Sequence, residues 1–147
     1  MNETIEGITA ELLDRCGLTI PVLLEKCFPG GRLVGGKFNV GTRTITMYID
    51  TVREQCLQVL GSGTDFLNYY AIVLAHELGH ALDEDLEELA ELLHIYEGNE
   101  PESEGLIRLA EEKAWDIARE IVYDLDERLF TKVRNEALEM HGEKALV

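Results

Sequence analysis

The sequence is short of several things, and each shortage removes a class of protein. Cysteine occurs three times in 147 residues, at Cys16, Cys27 and Cys56. An odd, widely spaced set argues against a disulfide framework and points to reduced, mostly buried thiols. Proline also occurs only three times, and no low-complexity tract, internal repeat or long linker divides the chain. No stretch approaches the roughly 20 apolar residues of a membrane span. Residues 1–11 carry Glu3, Glu6 and Glu11 and no Lys or Arg, the wrong charge for a signal peptide. The expectation is a cytoplasmic protein.

The largest deficit is in positive charge. Thirteen Lys and Arg stand against 29 Asp and Glu, a formal charge of −16. Such a surface repels phosphate backbones and anionic lipid, which disfavours direct nucleic-acid or membrane binding. It is compatible with a basic protein partner or a cationic substrate. From Asp83 to Glu104 there are ten carboxylates and no Lys or Arg. The ordinary reading is a solvated helix face running into a surface loop; the sharper one is a selectivity patch beside a site. With 46% hydrophobic residues, the chain has material for a packed core, and its length suits one domain over residues 1–147.

The pattern of residues predicts a small α+β domain with few strands and several helices. Ile5, Ile8, Leu12 and Leu13 recur at helical spacing up to Cys16, with Gly17 as the stop. Pro21 suits the first turn of a short helical run over Val22 to Phe28, ended by Pro29-Gly30-Gly31. Arg32 to Val40 and Thr42 to Ile49 are rich in β-branched and aromatic residues and read as a hairpin turning near Asn39-Val40-Gly41. Asp50 or Thr51 is suited to cap a helix ending near Gly61-Ser62-Gly63. Thr64 or Asp65 then opens one long helix to about Tyr96. After a polar break over Gly98 to Ser103, a second long run spans about Glu104 to Phe130 and continues through Thr131 to His141.

Inside the first long helix stands Val73-Leu74-Ala75-His76-Glu77-Leu78-Gly79-His80-Ala81-Leu82. At 3.6 residues per turn, His76 and His80 share a face one turn apart and can aim their imidazoles at one ion. Zn²⁺ accepts such nitrogens at about 2.0–2.1 Å in tetrahedral geometry. Glu77 projects beside them, placed to reach a water on the metal rather than the metal itself. This is the H-E-x-x-H arrangement of zinc hydrolases. The flanking Leu, Ala and Gly residues mark buried helix, where two histidines and a glutamate are expensive without a partner.

A zinc site needs a further protein ligand. The extended form of the motif would place Gly and His at positions 83 and 86, where Asp83 and Leu86 stand, so that form is excluded. Asp83 is better suited to orient an imidazole than to ligate. His94, about four turns beyond His80 on the same predicted helix, is too far. The next helix can fold back antiparallel, with Leu106, Leu109, Ala110, Ala114, Ile117, Ala118, Ile121 and Val122 as its apolar face. It then presents Glu111 or Glu112, and the small Ala114 and Ala118 permit close approach.

The chain resembles gluzincin-type zinc metallopeptidases, and among these most resembles the ImmA/IrrE family. The resemblance rests on His76-Glu77-Leu78-Gly79-His80 followed by Glu111-Glu112-Lys113-Ala114-Trp115-Asp116-Ile117-Ala118, within roughly Arg32 to Val122. The family's glutamate helix has a small residue three positions after the ligand, then an apolar residue and Ala six and seven after it. Glu111 fits that frame through Ala114, Ile117 and Ala118. Another gluzincin frame, with an Asp four residues after the ligand, would choose Glu112 with Asp116. The acidic Glu120-Ile121-Val122-Tyr123-Asp124-Leu125 departs from the family's leucine-rich continuation.

The resemblance implies a zincin-like fold, in which the hairpin or short sheet packs on the metal helix with the glutamate helix antiparallel beside it. It also implies peptide-bond hydrolysis, hence a peptide or protein substrate, with room for a regulatory protein partner. In that reading His76, His80 and Glu111 hold Zn²⁺, water takes the open position, and Glu77 is the general base. An extended substrate would pair with a strand edge, for which Thr42 to Ile49 is the candidate. Tyr48, Arg119, Tyr123 and His141 are the available oxyanion donors, while Trp115, Tyr69 and Tyr70 read as core. Two other classes are compatible: a non-catalytic acidic interaction protein, its zinc structural or absent, and a metal hydrolase of non-peptide amides.

Overall fold

Local chemistry sets the first helix as its spacing predicts. In a computed structural model describing residues 4–144, the side chains of 31 and 140–144 excepted, α1 spans Ile5–Cys16. Thr4 caps it by accepting from the Gly7 amide at 3.0 Å, and Gly17 ends it at φ 66°. Ile8 and Leu12 face the core. The remaining order is β1 (Val22–Glu25), a 3-10 turn at Pro29–Gly31, β2 (Gly36–Asn39), β3 (Thr44–Tyr48), α2 (Ile49–Leu60), α3 (Phe66–Leu82), α4 (Leu86–Ile95), α5 (Glu100–Ile121) and α6 (Glu127–Lys144).

The described residues thus form an α+β fold of six helices with a small mixed sheet. Strand order is β1-β3-β2, with β1 parallel and β2 antiparallel to β3. The expected hairpin is present, in register Phe38 with Ile45 and Lys37 with Thr46. Asn39 closes its turn by accepting from the Thr42 amide at 3.0 Å.

Four expectations need correction. Val22–Glu25 is a strand, not a helical turn after Pro21. Its pairing with β3, including the bond from the Ile45 amide to the Pro21 carbonyl at 3.0 Å, overrides the local preference of Leu-Leu-Glu. Because β1 lies on one side and β2 on the other, Thr42 to Ile49 contributes the central strand and offers no edge. The helix through His76 does not run on to Tyr96. It stops at Asp83, whose ψ is 107° and whose Oδ1 accepts from the Asp85 amide at 3.0 Å. Three consecutive carboxylates oppose the dipole at the end of α3, and the acids that follow favour a new helix start, with Glu87 and Glu88 in the first turn of α4. Likewise α5 stops at Ile121. Arg119 donates to the carbonyls of Tyr123 and Leu125, and Asp126 accepts from the Arg128 amide as α6 begins.

Smaller differences follow the same logic. Pro101 lies in the first turn of α5, behind an Asn99 cap, so the polar break is shorter than its composition suggests. Neither Asp50 nor Thr51 caps α2. The Asp50 amide donates instead to the Lys26 carbonyl at 2.8 Å. Asp65 occupies the N-cap position of α3 without a side-chain hydrogen bond. All three cysteines are free; Cys56 is buried, but Cys27 is exposed, contrary to the expectation of mostly buried thiols.

The core wraps α3, which packs against α1, α2, α5 and the sheet. Tyr70, Ile72, Leu74 and Leu78 are fully enclosed. Where α3 crosses α5, a Cβ on Gly79 would run into the Ala114 carbonyl and lie 3.1 Å from Ala114 Cα. Glycine at 79 and alanine at 114 are what let these two backbones touch. On the opposite side, a Cβ on Gly36 of β2 would lie 3.0 Å from Glu77 Cγ. The site is built between these two close approaches. Among the described residues no helix is long and apolar enough to cross a membrane.

Candidate metal centre

The helical register of α3 puts His76 and His80 on the α5 side, one turn apart, with ring centroids 4.7 Å from each other. The close crossing at Gly79 and Ala114 brings Glu111 between them. Its Oε2 lies 2.6 Å from His76 Nε2 and its Oε1 lies 3.4 Å from His80 Nε2. One atom from each of the three residues falls within 4.8 Å of the others, so the trio can hold a metal ion. Their side chains are 12–16% exposed, enclosed yet not sealed.

The donor set fits a small divalent cation. Two ligands at zinc's usual distance in a tetrahedron stand about 3.3 Å apart. The His80–Glu111 spacing already has that value, and the His76–Glu111 hydrogen bond need open by less than about 1 Å. His80 Nδ1 is buried without a hydrogen-bond partner among the described residues, a cost an imidazole bears more readily when a ligand takes its other nitrogen.

Electrostatics hold the trio together in the absence of metal. Burial disfavours a charged His76 ring, but the carboxylates of Glu77 and Glu111 outweigh it and lift its pKa to about 10. His76 is therefore an imidazolium clamped by two carboxylates, and metal uptake must expel that proton. Glu77 lies on the sheet side, 5% exposed, its Oε2 3.2 Å from His76 Nδ1 and its stem beneath the Gly36 backbone. It stands next to the three candidate ligands without being one of them.

Other candidates fall away. Glu112 points outward, 45% exposed and paired with Arg108 at 2.8 Å, and Asp116 is exposed. Asp83 is buried, but its Oδ1 serves the Asp85 amide and lies 3.4 Å from Lys113 Nζ, while its Oδ2 has no partner among the described residues. Among the described residues it makes no hydrogen bond to an imidazole. The helix break does not rescue His94, whose side chain is 86% exposed beside Glu97.

No oxyanion donor emerges from the three of the four named residues whose side chains are described. Tyr123 is exposed beneath Arg15, and Tyr48 is buried edge-on against Phe28, its phenol pushed up by burial. Arg119 Nη2 is spent on the end of α5, its Nη1 is buried without a hydrogen-bond partner among the described residues, and the His141 side chain lies outside them.

The acidic stretch is mostly a solvated face. Glu84 is exposed just before α4, Glu87, Glu88 and Glu91 are exposed along it, and Lys113 reaches across to Asp83 and Asp85. Tyr69, Tyr70 and Trp115 are core residues as expected. What the sequence reading missed is that Trp115 also lies flat against His76, centroids 4.4 Å apart and planes 12° from parallel. The available signal was its spacing, four residues after Glu111 and so on the same helix face. Comparison with known proteins adds nothing to this geometry: no family model, curated protein or solved structure matches the chain.

Proposed function

We propose that the protein is a cytoplasmic zinc-dependent metallopeptidase of gluzincin type, similar in its motifs to the ImmA/IrrE family. The observation that carries this reading is the convergence of His76, His80 and Glu111 within 4.8 Å, with Glu77 alongside. A structural zinc site closes its shell with four protein ligands. Among the described residues three converge, and the additional carboxylate is set next to them.

In this reading His76, His80 and Glu111 hold the ion. Bound zinc supplies a Lewis acid that polarises a carbonyl and acidifies water. Glu77 holds the proton taken from water at its carboxylate and delivers it to the leaving amine. Enclosure under β2 and between α3 and α5 limits competing solvent around that carboxylate. The extended substrate pairs with β2 rather than β3, since β2 is the edge strand that passes over Glu77.

Metal analysis of the purified protein tests the ligands. One equivalent of zinc is expected for the wild type and for Glu112→Ala, and strongly reduced zinc for His76→Ala and Glu111→Ala. Glu77→Gln should keep the metal and lose peptide hydrolysis. Turnover retained in that variant removes Glu77 from its role, and zinc uptake indifferent to Glu111 breaks the proposed shell.

A further inference from the structure

We infer that Trp115 is a positioning residue of the metal centre, a flat shelf that holds the His76 ring in the plane from which Nε2 faces Glu111. The inference rests on the metal-centre reading above and adds to it a group that neither ligates nor touches substrate. A histidine ring turns easily about its last torsion, which is broad rather than three-welled. Helix α3 fixes where the His76 Cβ lies, but not which edge of the ring faces α5.

Contacts on the ring itself make that choice. Its edges meet Glu77 at 3.2 Å and Glu111 at 2.6 Å, and His80 packs against it at 64°. Trp115 covers a whole face, 4.4 Å away and 12° from parallel, while only 2% exposed itself. Rotation of the imidazole would drive an edge into the indole. Offset stacking of two aromatic planes also favours the orientation observed.

The geometry is economical because Glu111 and Trp115 are one turn apart on α5. One rigid helix delivers the carboxylate oxygen and orients the nitrogen it must meet. The shelf has its own support. Phe130 of α6 packs edge-on to the indole at 5.7 Å and 73°, and the Arg119 guanidinium lies 5.1 Å from the centre of the Phe130 ring. Helix α6, which among its described residues holds no candidate ligand, is thereby tied to the centre through two aromatic contacts. Ligands preorganised in this way lose less freedom when the ion arrives.

The test compares wild type, Trp115→Phe and Trp115→Leu by zinc titration against a competing chelator and by NMR of the metal-free imidazoles. In the wild type, ring current from the indole should displace the His76 carbon-bound protons upfield relative to those of a free imidazolium. That displacement should shrink in Trp115→Phe and vanish in Trp115→Leu, while the shifts of His94 stay put. Zinc affinity should fall about 10-fold in Trp115→Leu, the low end of the range expected for groups that orient a ligand, and by less in Trp115→Phe. If Trp115→Leu does not fold, the graded loss in Trp115→Phe carries the test. Wild-type affinity in every folded variant, or no upfield displacement in the wild type, overturns the shelf alone. Failure of the wild type to take up zinc overturns the metal centre and the shelf with it.

Discussion

Two of the histidine–glutamate pairs among the described residues differ in a way that shows what makes one of them chemical. His76 and Glu111 meet at 2.6 Å, 14% and 16% exposed, on two helices whose backbones touch at Gly79 and Ala114. His94 and Glu97 lie 3.7 Å apart, 86% and 79% exposed, three residues apart at the end of α4. The residue types are the same. The first pair has lost most of its water, so its charges must be answered by each other or by an ion. The second is answered by solvent and contributes little. Burial, rather than composition, separates a site from a surface in a chain with 29 acids.

The sharpest way to break that contrast is to delete each pair in turn. His76→Ala and Glu111→Ala should each weaken zinc binding by more than about 100-fold, beyond what loss of an orienting group alone produces. His94→Ala and Glu97→Ala should leave it unchanged in the same titration. Zinc at a thousand times its dissociation constant should stabilise the wild type by about 4 kcal/mol, and neither buried-site variant should show that gain in thermal unfolding. Equal responses from the two pairs would mean that enclosure is not what makes the first one bind.

The next contrast is between two glycines on the crossing helices. Gly79→Ala forces a methyl group into the Ala114 carbonyl and should cost about 2–3 kcal/mol, with zinc affinity lost as α5 is pushed away. Gly105, on the same α5 but with open space around it, should gain about 0.5–1 kcal/mol on replacement by Ala, because only the backbone preference changes. Denaturant midpoints of the two variants should move in opposite directions.

A pH series sharpens the buried pair further. In metal-free protein the His76 pKa stands at about 10, above the roughly 6.5 of an unfolded histidine. The stability it contributes is then fully present below about pH 6.5 and lost as pH rises through 10. Stability measured for wild type and His76→Gln, both in chelator, should differ most near pH 6.5 and converge above pH 10. A gap that widens with pH reverses the sign and contradicts the imidazolium clamp.

What was legible in the sequence was whatever a short window carries. His76-Glu77-Leu78-Gly79-His80 announces its face by helical spacing, and Thr4 and Gly17 mark their helix ends by capping chemistry. The alternation over Thr44 to Tyr48 announces a strand. Choosing Glu111 over Glu112 needed a frame spanning eight residues, and the exposures of the two side chains follow it. The misses share a cause. Val22–Glu25 is a strand only because β3 lies beside it. Trp115 reads as core until its neighbour proves to be an imidazole. The stop after Ile121 also draws on a partner a hundred residues away, since Arg15 donates to the Ile121 carbonyl and grips Asp124 with both terminal guanidinium nitrogens. No window along the chain contains both ends of that contact.

The Arg15–Asp124 contact also gives the smallest expected effect, and one that separates exposed pairing from buried pairing on a single scale. The Arg15 guanidinium holds the Asp124 carboxyl below its ordinary range, so the pair stabilises the fold above the unfolded carboxylate's pKa and fades as pH falls through the lowered one. At 40% exposure for Asp124, solvent screening should keep the contribution under about 1 kcal/mol. Asp124→Asn should therefore lower stability slightly at neutral pH and match the wild type near pH 2, the reverse of the alkaline limb owed to His76. Because Arg15 keeps its bond to the Ile121 carbonyl, the turn between α5 and α6 should survive, and with it Phe130 behind Trp115. Zinc affinity unchanged in Asp124→Asn, beside its graded loss in the Trp115 variants, would place the coupling of α6 to the metal in the aromatic contacts rather than in the ion pair.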